Sequence, residues 1–392
     1  MKKISIKRWL VVTMLFGVFA NIAHPVTPRF IKSLGLGDSM FGYAFAGMAL
    51  TNFLFSPLWA RIAGKIGSVK VTAITLFFYA VSQLMFGLST TIGSIMFARL
   101  FGGFFIGGLF VAQLLYIVNN SEGEKKAKAM VNNATLHIVF GTFGYLLGGL
   151  IGDYKIIYAF YFQVVGLLLT AGYVLLFIED NLSNYTSKKF TFKEINPFKS
   201  LQSEELLENK LVRNVFIISI LASTATVLYD QSFNYYMADY FNFQPSVNGT
   251  IKAITGVMAF IVNSTLTIWI IKKTNLVKSL GLIFITSAIL ILFLINIEIP
   301  ILFLAINIIY FAINAAYKPI LQNVVTDSAK DQTGAVGTLN SLKSLGMILG
   351  ATIAGVAYAV EKELPFVISI IIFSIIGIIC LIFLKERRIK EN

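Results

Sequence analysis

Five polar residues, Ser219, Ser223, Thr226, Asp230 and Asn234, follow one another at i, i+4, i+7, i+11 and i+15 inside an apolar run. On a helix of 3.6 residues per turn this spacing draws a single polar stripe with a carboxyl on it. An acid at the centre of a hydrocarbon layer costs roughly 2.5–3.5 kcal/mol on insertion scales, so Asp230 is expected to face a cavity or a partner. A carboxyl that gains and loses water is held charged and neutral by turns, which is the chemistry of proton coupling. The alternative is that Asp230 stands near the outer end of its helix and is simply hydrated.

Three other groups fit the same chemistry. His24 continues a stripe formed by Thr13, Gly17, Asn21 and Pro28, and is suited either to sharing a proton or to bonding backbone freed by Pro25 and Pro28. His137 shares a helix face with Gly141, Gly144, Gly148 and Gly152, where small residues let two helices approach closely. It is either a pH-responsive group or a packed structural one. Arg99 cannot shed its charge, so in an apolar helix it needs a carbonyl, a carboxylate or a substrate anion. Lys343 sits on a small-residue face with Gly346, Gly350 and Ala354, with snorkelling as its alternative. Asn21, Gln113, Thr226, Tyr229, Gln231 and Asn234 are assigned to a substrate cavity beside these groups. The tyrosines and phenylalanines around 229–236 and 310–317 suit flat, cationic substrates, and equally an interfacial aromatic belt, the default reading.

The elements that must carry these residues follow from composition. The chain has 392 residues, is 57% hydrophobic with a mean hydropathy of +0.78, and is only 13% charged, about half of what a soluble domain carries. Apolar runs of about 20 residues recur from end to end, each long enough to cross a bilayer. Expected spans are 9–31, 40–63, 70–90, 92–118, 129–152, 156–178, 213–237, 246–271, 278–297, 299–324, 334–360 and 364–384. Such runs are helices, since backbone in lipid must pair within its own segment. The 32 Lys and Arg against 19 Asp and Glu are scattered through short links, which argues topology rather than nucleic acid. They gather at the N-terminus, at 61–70, at Lys125, Lys126 and Lys128, in 179–212, at Lys272, Lys273 and Lys278, and in the Lys385–Lys390 tail. This places both termini and the 179–212 segment on the cytoplasmic side of the plasma membrane.

The polar 179–212 segment divides the chain into a 1–178 half and a 213–392 half, each with six spans. A faint repeat at a displacement of 206–208 residues supports the division. It lays "KIGSVKV" at 65–71 on "KTNLVKS" at 273–279, and "GTFGYLLGG" at 141–149 on "MILGATIAG" at 347–355. Two related halves with a site between them near mid-membrane are the plan of many secondary transporters.

The chain also resembles the twelve-helix drug:proton antiporter branch of the major facilitator superfamily. The likeness rests on "HPVTPRF" at 24–30 and on the 2–3 link, where Ser56, Pro57, Gly67 and Val71 match S-P-x-x-G-x-L-x-D-R-x-G-R-R-x-V. Here Gly64 stands where the family has an acid, and Lys65 where it has an arginine. Arg99 and Gly103 match R-x-x-x-G, while Gly144, Gly148 and Gly149 match the antiporter glycine pattern with Tyr145 in place of its proline. The resemblance implies a proton-handling role for Arg99. A conformational latch at Arg61, Gly64, Lys65 and Gly67 is expected, with a hinge at the close-packing glycines Gly144, Gly148, Gly149 and Gly350.

An all-α integral membrane protein with twelve transmembrane helices in two pseudo-symmetric halves is therefore expected, moving a small amphipathic substrate out against protons by alternating access. A metabolite importer, a uniporter and a lipid flippase of the same fold are the alternatives. The expected partners are substrate, protons and lipid; the chain is expected to act as a monomer, without cofactor, metal or nucleic acid. An intramembrane enzyme or receptor fits less well, because two histidines in different helices and one cysteine make no catalytic or metal-ligand spacing, and no phosphate loop is present.

Overall fold

In the computed structural model the described residues are 4–180, 196, 210–328 and 332–383. Most of the 179–212 segment and the Lys385–Lys390 tail therefore lie outside them. The chain is all-α. Its helices are α1 Ile6–Asn21, α2 Thr27–Ser33, α3 Met40–Ile66, α4 Ser68–Gly87, α5 Ile92–Asn120, α6 Gly123–Tyr154, α7 Ile156–Phe177, α8 Lys210–Asp239, α9 Pro245–Ser264, α10 Leu266–Lys273, α11 Leu276–Leu294, α12 Pro300–Ala315, α13 Tyr317–Ser328, α14 Gln332–Val360 and α15 Leu364–Ile378. A π turn, Ile379–Phe383, ends the described chain.

Ten stretches among the described residues are long and apolar enough to cross a membrane; α9 with α10, α12 with α13, and α15 with the π turn each make one of them. The other two expected spans are diluted rather than missing. The first is interrupted between α1 and α2, where Pro25 sits just ahead of the Pro28 that opens α2, and the second, α3, carries Thr51, Asn52, Ser56 and Pro57 inside its apolar run.

Local chemistry sets the ends of these helices. The Ser5 hydroxyl accepts from the Arg8 N–H at 3.4 Å to open α1, Thr91 and Ser94 form a capping box on α5, and Asn275 Oδ1 accepts from the Lys278 N–H at 2.8 Å on α11. Pro28, Pro300 and Pro365 occupy first-turn positions, where no amide hydrogen is missed. α3 and α4 are joined by Gly67 alone, which turns the chain at a φ of 91° that a side chain would resist.

The chain forms two compact units. The first gathers Met1–Leu36, Gly47–Pro197 and Asn242–Ala253; the second gathers Gly37–Ala46, Phe198–Phe241 and Ile254–Asn392. In the first, α1 packs on α6, and α4 packs on α5 and α7. In the second, α8 packs on α14, and α11 on α15 and α12. These sets correspond under the displacement of about 206 residues seen in the sequence.

Candidate functional site

In the first unit, Arg99 is 7% exposed on α5. Its guanidinium carbon lies 3.5 Å from the centroid of Phe86, and Nη1 reaches Met48 Sδ at 3.6 Å. Nε is buried with no protein partner, and among the described residues no carboxylate pairs with this cation. A ring face is the main compensation for a charge this deep, worth about 2 kcal/mol when desolvated.

His137 stacks on Phe16 at 5.3 Å and meets the edge of Phe110 at 5.9 Å, with Nδ1 buried and unbonded. His24 stacks on Tyr145 at 5.4 Å. Asn21 Nδ2 donates to the Gly17 carbonyl at 2.7 Å. The Gln113 carbonyl accepts from Trp9 Nε1 at 3.2 Å, while its side-chain Nε2 is buried without a partner. The glycine face of α6 buries against the first span: Cβ atoms on Gly144 and Gly148 would overlap the Val18 and Ile22 carbonyls. Gly149 turns elsewhere, with its Cβ position 3.2 Å from the Gly249 Cα at the start of α9.

In the second unit, Thr226 of the α8 stripe meets polar groups of α12 and α11, whereas Ser219 donates to the Phe216 carbonyl of its own helix and Ser223 lies against Gly346 of α14. Thr226 Oγ1 donates to Asn314 Oδ1 at 3.3 Å, and Asn314 Nδ2 donates to Ser287 Oγ at 3.4 Å. The Tyr229 hydroxyl donates to Asn307 Oδ1, and its ring lies 4.2 Å from that of Tyr310, whose hydroxyl is buried without a partner. Asp230 is half-buried on the same helix, next in sequence to Tyr229. Gln231 and Asn234 are also half-buried, and Asn234 Oδ1 is unbonded. Gly350 of α14 lies against Thr224 of α8, its Cβ position 3.1 Å from the Thr224 Cα. Arg99 belongs to the first unit and Asp230 to the second.

The aromatic residues depart from the belt expectation. Tyr229, Phe233, Tyr235, Tyr236, Tyr310 and Tyr317 are all buried, the first at 1% exposure, because their rings stack on one another and on Phe303 and Phe366 inside the second unit. At the 61–70 turn, Arg61 and Gly64 are half-buried, Lys65 is exposed and Gly67 is buried. An acid does reach this turn, from a distant part of the chain: Asp180 Oδ2 accepts from the Val69 N–H at 2.9 Å, at the N-terminus of α4. Sequence spacing misses this contact because Asp180 follows α7, 111 residues away.

Apolar spans enclosing sparse polar groups in each unit define a multi-pass membrane carrier. The chain belongs to the Major Facilitator Superfamily, whose family model matches residues 9–351. It is a transporter, not an enzyme. Similar proteins include "Multidrug resistance protein 2" of Bacillus subtilis (strain 168), 23% identical, with 99% of this chain and 98% of the relative covered. "Quinolone resistance protein NorA" of Staphylococcus aureus (strain MSSA476) is 26% identical with 96% of each covered. Among solved structures, a D-xylose-proton symporter superposes with a TM-score of 0.74 at 14% identity, covering 97% of both chains. The nucleoside transporter NupG superposes with a TM-score of 0.72 at 13% identity, covering 96% of both. At such identities the structures speak for the fold alone.

Proposed function

We propose that this protein exports small amphipathic compounds across the plasma membrane against an inward flow of protons, by alternating access of a site between residues 1–178 and 213–392, with both termini cytoplasmic. The observation that carries the reading is Asp230, a half-buried carboxyl in a membrane span, on a stripe shared with Thr226 and next in sequence to Tyr229, whose hydroxyl donates to Asn307. The multidrug and quinolone resistance relatives, aligned over nearly their whole length, support export and a broad substrate range.

In this reading Asp230 takes up and releases the proton, and the polar and aromatic groups around it hold substrate. Aromatic faces attract flat cations, and a carboxyl that is charged only when unprotonated makes the two occupants compete. Arg99 and the histidines at 24 and 137 support proton movement in the first half, and the 61–70 turn with Gly149 and Gly350 governs the change of access. A facilitator of metabolites is the second reading, favoured by Gly64, where the family pattern has an acid.

The test is transport into everted vesicles of a panel of labelled lipophilic cations and fluoroquinolones, with and without a protonophore. Proton-driven accumulation that collapses with the gradient supports the proposal. Equilibration that the protonophore leaves unchanged replaces it with the uniporter reading.

A further inference from the structure

The two units carry corresponding clasps at the starts of α3 and α9. In the second unit, the Gly355 Cβ position is 3.1 Å from the Gly42 Cα, and a Cβ on Gly42 would overlap the Ala351 carbonyl. In the first, the Gly149 Cβ position is 3.2 Å from the Gly249 Cα, and a Cβ on Gly249 would overlap the Tyr145 carbonyl. Gly42 and Gly249 stand 207 residues apart, and Gly149 and Gly355 stand 206 apart. Beside each glycine pair is a polar tie at the same displacement. Arg29 Nη1 donates to Gln244 Oε1 in the first unit; the Tyr235 hydroxyl donates to Asp38 Oδ1 at 2.7 Å in the second.

The ties differ in chemistry. Gln244 is a neutral amide, and that clasp is completed by Asn248 Nδ2 on the Pro25 carbonyl at 3.3 Å and by the Asp153 carboxylate on the Ser246 N–H at 2.9 Å. Its counterpart places a carboxylate, Asp38, at the register of Gln244, and extends the tie. Tyr235 packs edge-on to Tyr358 at 5.1 Å, Phe41 stacks on Tyr235 at 4.5 Å, the Tyr358 hydroxyl donates to Asp239 Oδ2 at 3.1 Å, and Lys362 Nζ lies 2.8 Å from that same oxygen.

We propose that the Asp38–Tyr235 and Tyr358–Asp239–Lys362 ties form a proton-sensitive clip holding residues 37–46 onto α8 and α14, and that acid at the face carrying them releases this segment. An ionised carboxylate accepts a tyrosine hydrogen bond roughly twice as strongly as a neutral acceptor, so protonation weakens both ties. The titratable groups around the clip are Asp38 from the segment, Tyr235, Tyr236, Asp239 and Tyr240 from α8, Tyr358 from α14, and Lys362 and Glu363 from the following turn. The hydrogen bond to Asp239 raises Lys362 above the ordinary lysine value. Lys362 thus keeps its charge at all lower pH and loses it only as pH rises through that raised value, so release in acid belongs to the carboxylates. The clip does not depend on Asp230 as the coupling residue.

The test uses full-length protein in proteoliposomes with Cys380→Ser, so that nitroxides sit only at Tyr43→Cys and Val356→Cys, both exposed positions of the second unit. Dipolar broadening between them is read at about pH 7.5 and about pH 3, above and below the ordinary aspartate value. The broadening is expected to be strong at the higher pH and lost at the lower one. Asp38→Asn and Asp239→Asn lose it at both, Tyr235→Phe weakens it with the fold intact, and Asp230→Asn keeps the pH response. Broadening that persists in acid, or a pH response that survives in both Asp38→Asn and Asp239→Asn, overturns the clip.

Discussion

Arg99 shows how a single residue is made tolerable in this protein. It has no ionic partner among the described residues and rests its charge on the Phe86 ring at 3.5 Å. A double-mutant cycle of Arg99→Met and Phe86→Leu, read by thermal unfolding in detergent, should return a coupling of about 1–2 kcal/mol. Additive behaviour would mean that the ring is only packing. Asp180 offers a second test at this scale. Its carboxylate meets the N–H of Val69 and the positive end of the α4 dipole, so Asp180→Asn should cost about 0.5–1 kcal/mol in the same assay. A residue of this kind is invisible to spacing rules: the sequence reading marks Gly64 as the place of a missing acid, and an acid reaches the same turn from a position 111 residues from Val69.

At the scale of the element, glycines divide into those that touch backbone and those that touch nothing. Gly144 and Gly148 of α6 admit the Val18 and Ile22 carbonyls, whereas a Cβ on Gly172 of α7 would meet no atom within 4 Å. Gly144→Val should therefore destabilise by at least 1–3 kcal/mol, about the usual cost of overpacking, because backbone cannot step aside as a side chain does. Gly172→Ala should be neutral or stabilising by up to about 1 kcal/mol. Unfolding midpoints of the two variants that move together would refute the distinction. The α6 glycine face is readable from sequence because it repeats with the helical period; the direction each glycine takes is not, since Gly148 and Gly149 differ by one residue and pack on different helices. The aromatic residues of α8 and α12 are misread for a related reason. Composition says that rings such as Tyr229 and Tyr310 are amphipathic, and only packing decides that they turn inward.

At the scale of the whole molecule, apolar run length alone places the helices, because a bilayer leaves no other backbone solution. The internal displacement of 206–208 residues is faint in the sequence, yet it relates Gly42 and Gly249, Gly149 and Gly355, and Asp38 and Gln244 contact by contact. The repeat constrains backbone approach more tightly than side-chain identity, so small residues keep their register while an amide and an acid exchange. The Major Facilitator Superfamily assignment carries the fold and the transport class. It leaves substrate and coupling to the chemistry of a few polar side chains, and Asp230 is the group on which the proposed coupling turns. The most direct measurement is proton movement in proteoliposomes containing a pH-sensitive dye, recorded as an exported substrate crosses the membrane in wild type and in Asp230→Asn. The expected result is a substrate-dependent proton flux in the wild type that is abolished in the variant while substrate still binds. Full substrate transport by Asp230→Asn with an undiminished proton flux would contradict it.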